Sequence, residues 1–299
     1  MKSSPLFYRS AIIAAALAAA GGAALSLMAS RTEADIAGHR ERVVLEARQT
    51  APRAVSAPSL AALPAPVQRY FAFVFRGAVP PDVSHVELTM DGRFRRPRSD
   101  TFTPTHAEQT IAVHTPAMVF AATTPLLPGL PALTARAYDA YAGGQMEMKA
   151  KLLSAITVVD EPASPTLNRI SLRRWLLESP LYPMALLPGG AVRWEAIDAQ
   201  RARAVVTLGD VSASLVATFG DDGRLLRFDA EEDGDLRTAY HGSGEHVARD
   251  DYEAVDGVMI PKRFVVARAA AGRILPFWEG RVTQIRFVAA VKGSAMTAD

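Results

Sequence analysis

Short runs in which apolar and polar residues strictly alternate recur along this 299-residue chain, and they constrain its fold more than any other feature. Met146 to Leu152 alternates without error, as does Leu226 to Glu231. Val211 to Phe219 breaks the pattern only at Val216, and Val86, Leu88 and Met90 alternate with Glu87 and Thr89. A period of two puts successive side chains on opposite faces, so each run reads as a strand with one buried and one wet face. That pattern belongs to antiparallel sheets. Asp-Gly pairs at Asp91, Asp222, Asp233 and Asp256, and Gly143-Gly144, supply candidate hairpin turns, because glycine accepts positive φ. Roughly ten to twelve strands are expected. No repeat of fixed period is evident, which argues against a propeller.

Two helical stretches interrupt the strands. Pro64 to Phe75 reads as a short helix with proline in its first turn. Thr166 to Ser179 is better marked: Ser164 can cap it, Pro165 suits its first position, and Pro180 ends it. Leu172, Trp175, Leu176 and Ser179 share one face, and the apolar, proline-bounded run from Leu181 to Pro188 follows. Together these form an expected cover for the sheet, inserted between two groups of strands.

The N-terminus carries a different signal. Ser10 to Ser30 contains no charge and is bracketed by Arg9 and Arg31. At 21 residues it matches the length a helix needs to cross a bilayer. Lys2 and Arg9 make a positive leading region, and Ala24-Leu25-Ser26 offers a small-x-small cleavage site, so a secretory signal is the rival to an uncleaved anchor. The uncharged stretch continues past that site, which favours the anchor. Residues 1–31 are therefore read as membrane anchor or signal. Residues 32–62 are read as a juxtamembrane helix, a solvated stalk from Thr32 to Gln49, followed by a Pro/Ala linker. Residues 63–290 are read as one β-rich domain, and 291–299 as a disordered tail. The absence of cysteine excludes a disulfide and a lipid anchor on cysteine. A net charge of +2 is too small to imply a nucleic-acid partner.

Several blocks carry a resemblance: LPAPVQRYF from Leu63, DGRFR from Asp91, RRWLLESPLYPMALLPG from Arg173, VRWEAID from Val192, DYEAVDGVMIP from Asp251 and FWEGRVTQI from Phe277. In combination the chain resembles a family of uncharacterised bacterial envelope-type proteins over Leu63 to Phe287. That family has no assigned activity to transfer, and Thr238 to Val247 looks particular to this chain. The element from Tyr252 to Pro261 is also similar to one in periplasmic lipoprotein carriers, half-barrels with a helical lid. That resemblance implies, by fold analogy alone, an acyl ligand between sheet and lid.

No motif specifies a reaction. His241 and His246, with Asp250 and Asp251, form the one His/acid cluster, and a solvated loop is favoured over a metal site. His106 and His114 lack a nucleophile signature and read as structural. Glu178, Glu195 and Glu279 each adjoin an aromatic residue or a proline turn. If they lined one cavity they could do acid/base work, whereas pairing with Arg173, Arg174, Arg193 or Arg281 is favoured. Trp175, Leu176, Glu178, Tyr182, Trp194, Glu195, Trp278 and Glu279 are the candidate cavity lining; no metal or cofactor is expected. The reading is an α+β fold: a curved, half-barrel-like antiparallel sheet with an inserted helical cover behind an N-terminal transmembrane helix. The expected function is noncatalytic binding of an apolar or lipid-like ligand at the inner membrane, the folded domain lying outside the cytoplasm. A hydrolase using the carboxylates, or a structural partner protein, are the alternatives.

Overall fold

The structure, a computed structural model, describes residues 5–50, 55–96, 99–127, 130, 133–234 and 245–290. The expected tail and His241 lie outside them.

Thirteen strands in the described residues form one open antiparallel sheet. In chain order they are β1 (Val83–Arg95), β2 (Phe102–Ala112), β3 (Met118–Pro125), β4 (Thr134–Ala142), β5 (Gln145–Leu152), β6 (Ile156–Glu161), β7 (Val192–Ala196), β8 (Arg201–Leu208), β9 (Val211–Phe219), β10 (Leu225–Asp229), β11 (His246–Val255), β12 (Val258–Ala270) and β13 (Arg273–Ala289). Their spatial order is 6-5-4-3-2-1-13-12-11-10-9-8-7. Every step except β1–β13 joins chain neighbours, so two meanders share a seam where the first strand meets the last. Gly143-Gly144 (φ 57° and 74°) and Asp256-Gly257 (φ 48° and 83°) turn the β4–β5 and β11–β12 hairpins, as their sequence predicts.

Asp91-Gly92 differs: it lies inside β1, not at a turn. Gly92 faces Gly280 of β13, and a Cβ at Gly92 would overlap the Glu279 carbonyl oxygen. The glycine serves close backbone approach at the seam. Asp233-Gly234 likewise starts a long connection rather than a tight turn, since β10 ends at Asp229 and β11 begins at His246. In β10 the alternation shifts: Leu225 and Phe228 are buried while Leu226 is exposed, because a bulge falls between Leu225 and Arg227.

Among the described residues four helices accompany the sheet: α1 (Pro5–Gln49), α2 (Ala57–Ala61), α3 (Ala65–Phe75) and α4 (Pro165–Glu178). The side chain of Ser164 caps α4, accepting from the Leu167 N–H at 3.2 Å, with Pro165 in its first turn. Two 3-10 turns, Ser179–Leu181 and Pro183–Leu186, follow at the prolines. From Ser171 to Leu177 every residue of α4 is buried, so it lies inside the fold rather than on it.

The sheet curls around this helix. Asn168 accepts from the Met146 N–H of β5 at 3.0 Å, and the next residue, Arg169, donates to the Ser212 carbonyl of β9 at 3.1 Å. Nine strand-to-strand steps separate β5 from β9. At ~4.8 Å per step a flat sheet would hold them roughly 43 Å apart. Neighbouring side chains on one helix reach both because the sheet has folded around them. The edges β6 and β7 stay unjoined.

α1 occupies the opposite, convex face. It has no proline after Pro5 and is unbroken for 45 residues. Beyond the exposed apolar part, Thr32, Ile36, His39, Val43 and Ala47 form a buried stripe at helical spacing. Val43 and Ala47 pack on Ala112, Ala117, Val119 and Ala140, and Ile36 packs on Ala121 and Tyr138. Arg136 donates to both carboxylate oxygens of Glu33 at 2.9 and 3.0 Å, and Arg40 to Glu108 at 3.1 Å. Residues 32–49 are therefore docked on the sheet, not a solvated stalk. Small residues on β2, β3 and β4 let the helix axis come close enough to exclude water.

Candidate functional site

The concave face of the sheet and the cover meet in one apolar cluster. Trp175, Leu176, Tyr182 and Leu186 are wholly buried in it. Trp175 donates its indole N–H to the Ala112 carbonyl at 2.9 Å, and Tyr182 donates to the Trp175 carbonyl. Trp194 donates to the Leu186 carbonyl at 3.0 Å and packs beside Phe219. Trp278 sits between Phe264 and Phe120, with ring centroids 5.3 and 6.4 Å away.

An ion cluster lies inside this apolar contact. Arg174 of α4 donates to Asp139 of β4 at 2.5 Å and to Glu178, one turn further along, at 2.9 Å. Its guanidinium stands 4.7 Å from the centre of the Phe120 ring. Gln109 of β2 donates to the second oxygen of Glu178. Arg249 of β11 donates to the Leu177 carbonyl at 3.4 Å, and its charge faces Glu178. Burial pushes the Asp139 carboxyl above its ordinary pKa against the opposing pull of Arg174. Burial likewise lowers the pKa of Arg249, with Glu178 opposing. Asp139 Oδ1, Gln109 Oε1, Arg249 Nε and the Tyr70 hydroxyl are buried without a hydrogen-bond partner among the described residues. A second buried pair, Arg173 with Glu245 at 3.3 Å, ties α4 to the start of β11, and burial raises the Glu245 pKa. Composition gave no hint of Arg249 as a buried cation. Its alternation with Val247 in β11 put it in the apolar phase of that strand.

The three carboxylates do not meet, and two of them pair with arginine as the sequence favoured, Glu178 with Arg174 and Glu195 with Arg193. Trp194 and Trp278 point into the core, so their strand neighbours Glu195 and Glu279 point to the convex side. Glu195 pairs there with Arg193 and with Arg203, the latter at 2.8 Å; Glu279 pairs with Arg93. Only Glu178 reaches the concave interior. The adjacency to tryptophan that drew attention to these acids is what sends two of them to the other face. His246 binds Asp229 at 2.6 Å and His106 binds Asp91 at 2.7 Å. No group of three metal-ligating side chains occurs among the described residues. A groove of about 350 Å³ on the convex face, beside α1, is lined by Arg40, Glu87, Glu108 and Arg286, whose charges pair with one another.

A family profile matches residues 61–287. The chain belongs to DUF6920, a family of unknown function. No curated protein matches it in sequence. Among solved structures, a LolA-superfamily protein from Nitrosomonas europaea is 11% identical with a TM-score of 0.35, over 80% of this chain and 96% of that one. A DUF1329 family protein from Desulfovibrio piger is 10% identical with a TM-score of 0.40, over 76% and 95% of the two chains. A domain described as an outer-membrane lipoprotein-sorting protein from Vibrio parahaemolyticus is 9% identical with a TM-score of 0.34, over 79% and 94%. Likenesses this distant carry no argument about what the DUF6920 chain binds.

Proposed function

We propose that this DUF6920 protein is a membrane-tethered envelope protein that binds an apolar, lipid-like ligand without chemistry, between its curled sheet and its helical cover. One observation carries the reading. A single contiguous segment, Pro165 to Leu187, fills the hollow of the sheet and brings buried charges with it. A buried ion pair contributes little net stability compared with apolar packing. Each unpaired buried polar atom costs about 1–3 kcal/mol. The cover is thus held more weakly than its apolar area implies, and an acyl chain entering the same apolar hollow replaces its contacts. Trp175, Leu176, Tyr182, Trp194 and Trp278 would line the ligand, and Glu178 and Arg249 would face its polar end. The hydrolase reading loses its paired acids, because Glu195 and Glu279 face the other side and Glu178 is engaged by Arg174.

The tether is the apolar part of α1. Its uncharged 21 residues rise about 32 Å, enough for the hydrocarbon core, and the same helix continues into the docked stripe. We place the protein in the inner membrane, single-pass, with the domain outside the cytoplasm. N-terminal sequencing of the mature protein tests the tether: a terminus near Leu27 would remove it. Native mass spectrometry of the full chain, released gently from detergent, tests the ligand. Lipid-sized adducts on the wild-type chain are expected; Leu176→Arg puts a charge where Leu176 is wholly buried, so it should unfold the cover and lose the adducts together. Bare protein at every detergent strength would contradict the reading.

A further inference from the structure

The docked half of α1 fixes which part of the domain meets the bilayer. Thr32 donates its hydroxyl to the Ser154 carbonyl, in the β5–β6 turn, at 2.6 Å. The charge-free run ends at Ser30, two residues and about 3 Å before that contact. No spacer separates membrane helix from domain. The end of the sheet that carries the β5–β6 turn therefore rests at the membrane surface.

The β3–β4 connection lies at the same end. The Leu153 N–H donates to the Thr134 carbonyl at 2.8 Å, setting the β5–β6 turn against the start of β4. The Leu126 N–H donates to the Leu133 carbonyl at 2.8 Å and closes the base of the β3–β4 loop. Beyond that base, Leu127 and Leu130 are 50% and 55% exposed, linked by a turn in which the Leu130 N–H donates to the Leu127 carbonyl at 3.3 Å. Ile156, two residues past Ser154, is also 50% exposed. Three exposed aliphatic side chains thus stand at the end of the sheet from which the charge-free run leaves. The headgroup layer on one side of a bilayer is about 5–7 Å thick. The opposite end of β1 has a comparable apolar residue, Val79, which is 89% exposed and far from α1's exit.

We propose that Leu127, Leu130 and Ile156 insert into the lipid surface from which α1 emerges, so that the half-barrel is held against the bilayer by a second, loop-borne contact. The inference rests on the tether reading. It commits to lipid as the occupant because the charge-free run of α1 points away from the domain at this end.

The chain has no cysteine, so single cysteines can carry an environment-sensitive nitrobenzoxadiazole dye without other changes. Leu127→Cys, Leu130→Cys, Leu17→Cys and Val79→Cys all alter exposed positions. Each full-length variant is reconstituted into vesicles of phosphatidylethanolamine and phosphatidylglycerol with brominated acyl chains. The expected result is strong quenching at Leu17→Cys, intermediate quenching with a blue-shifted emission at Leu127→Cys and Leu130→Cys, and none at Val79→Cys. Dyes at 127 and 130 that stay as unquenched as at 79, while 17 is quenched, would overturn the loop contact and leave the tether standing. An unquenched dye at 17 would overturn the tether, and the loop contact with it.

Discussion

Arg174→Met removes the cation that holds two buried carboxylates. In the native cover the side chains of Arg174, Asp139 and Glu178 are 9%, 7% and 13% exposed. Methionine keeps the stem against Phe120 but leaves Asp139 without its cation and with an oxygen that already lacks a partner. Glu178 keeps Gln109 and the field of Arg249. Breaking a buried ion pair on one side costs about 3–5 kcal/mol, so a loss of about 4 kcal/mol is expected near neutral pH. The loss depends on pH. Burial already raises the folded Asp139 pKa above 3.8, and removing Arg174 removes the charge that opposes the rise. A carboxyl raised on folding binds its proton more tightly in the folded state. The variant's deficit relative to wild type is therefore smallest near pH 4 and grows as pH rises through the folded pKa. Adding Asp139→Asn removes the stranded charge and should restore about 2 kcal/mol. Urea unfolding of the detergent-solubilised full chain, followed by tryptophan fluorescence at pH 5 and pH 7.5, measures all three. A deficit under about 1 kcal/mol, one that ignores pH, or no recovery in the double variant would refute the argument, because the cost of stranding a buried charge would then not describe this cluster.

Val43→Asp places a carboxylate among Ala112, Ala117 and Val119, and should undock α1 while the sheet survives; trypsin would then cut at Arg40, Arg42 and Arg48 much faster than in wild type. Burial holds the pKa values of His39, His85 and His114 below 6.5, so their contribution is present above that value and is lost as pH falls through the folded pKa values; the melting temperature should drop between pH 7 and pH 5, and His39→Gln should reduce the drop. Gly92→Ala forces a Cβ into the Glu279 backbone at the β1–β13 seam, and should lower stability by at least about 3 kcal/mol or prevent soluble folding, measured by denaturant titration. An alanine variant as stable as wild type would show that the two meanders do not join there.

The legible parts were those set by local chemistry. Ser164, Pro165 and Pro180 bound α4 because a cap oxygen, a fixed φ and a missing N–H act within one turn. β5 and β9 follow their alternation because one face of each is buried. What failed depended on distant partners. The docking stripe on α1 has only Ile36, Val43 and Ala47 as apolar members. It looks solvated until Ala112, Ala117 and Ala140, far along the chain, supply the matching surface. Asp91-Gly92 carries a turn signature, yet the pair is there because Gly280 crosses close by. The placement of Trp175, Trp194, Trp278 and Glu178 between cover and sheet was legible. The error over Glu195 and Glu279 was avoidable, since period two already puts a strand residue and its tryptophan neighbour on opposite faces. The phase of β11 already put Arg249 on the buried side, but its meeting with Glu178, beside Asp139, depends on the curl of the sheet, which no local pattern encodes.

Hydrogen exchange of the cover, read with and without lipid, tests the central claim most directly. The full chain in detergent is compared with the same chain given a fluorescent phospholipid. If the cover yields to an acyl chain, amides from Ser171 to Leu187 should exchange faster as lipid binds, while those of β1, β12 and β13 keep their protection. Cover amides that open only together with the sheet, with no lipid taken up at any concentration, would contradict it.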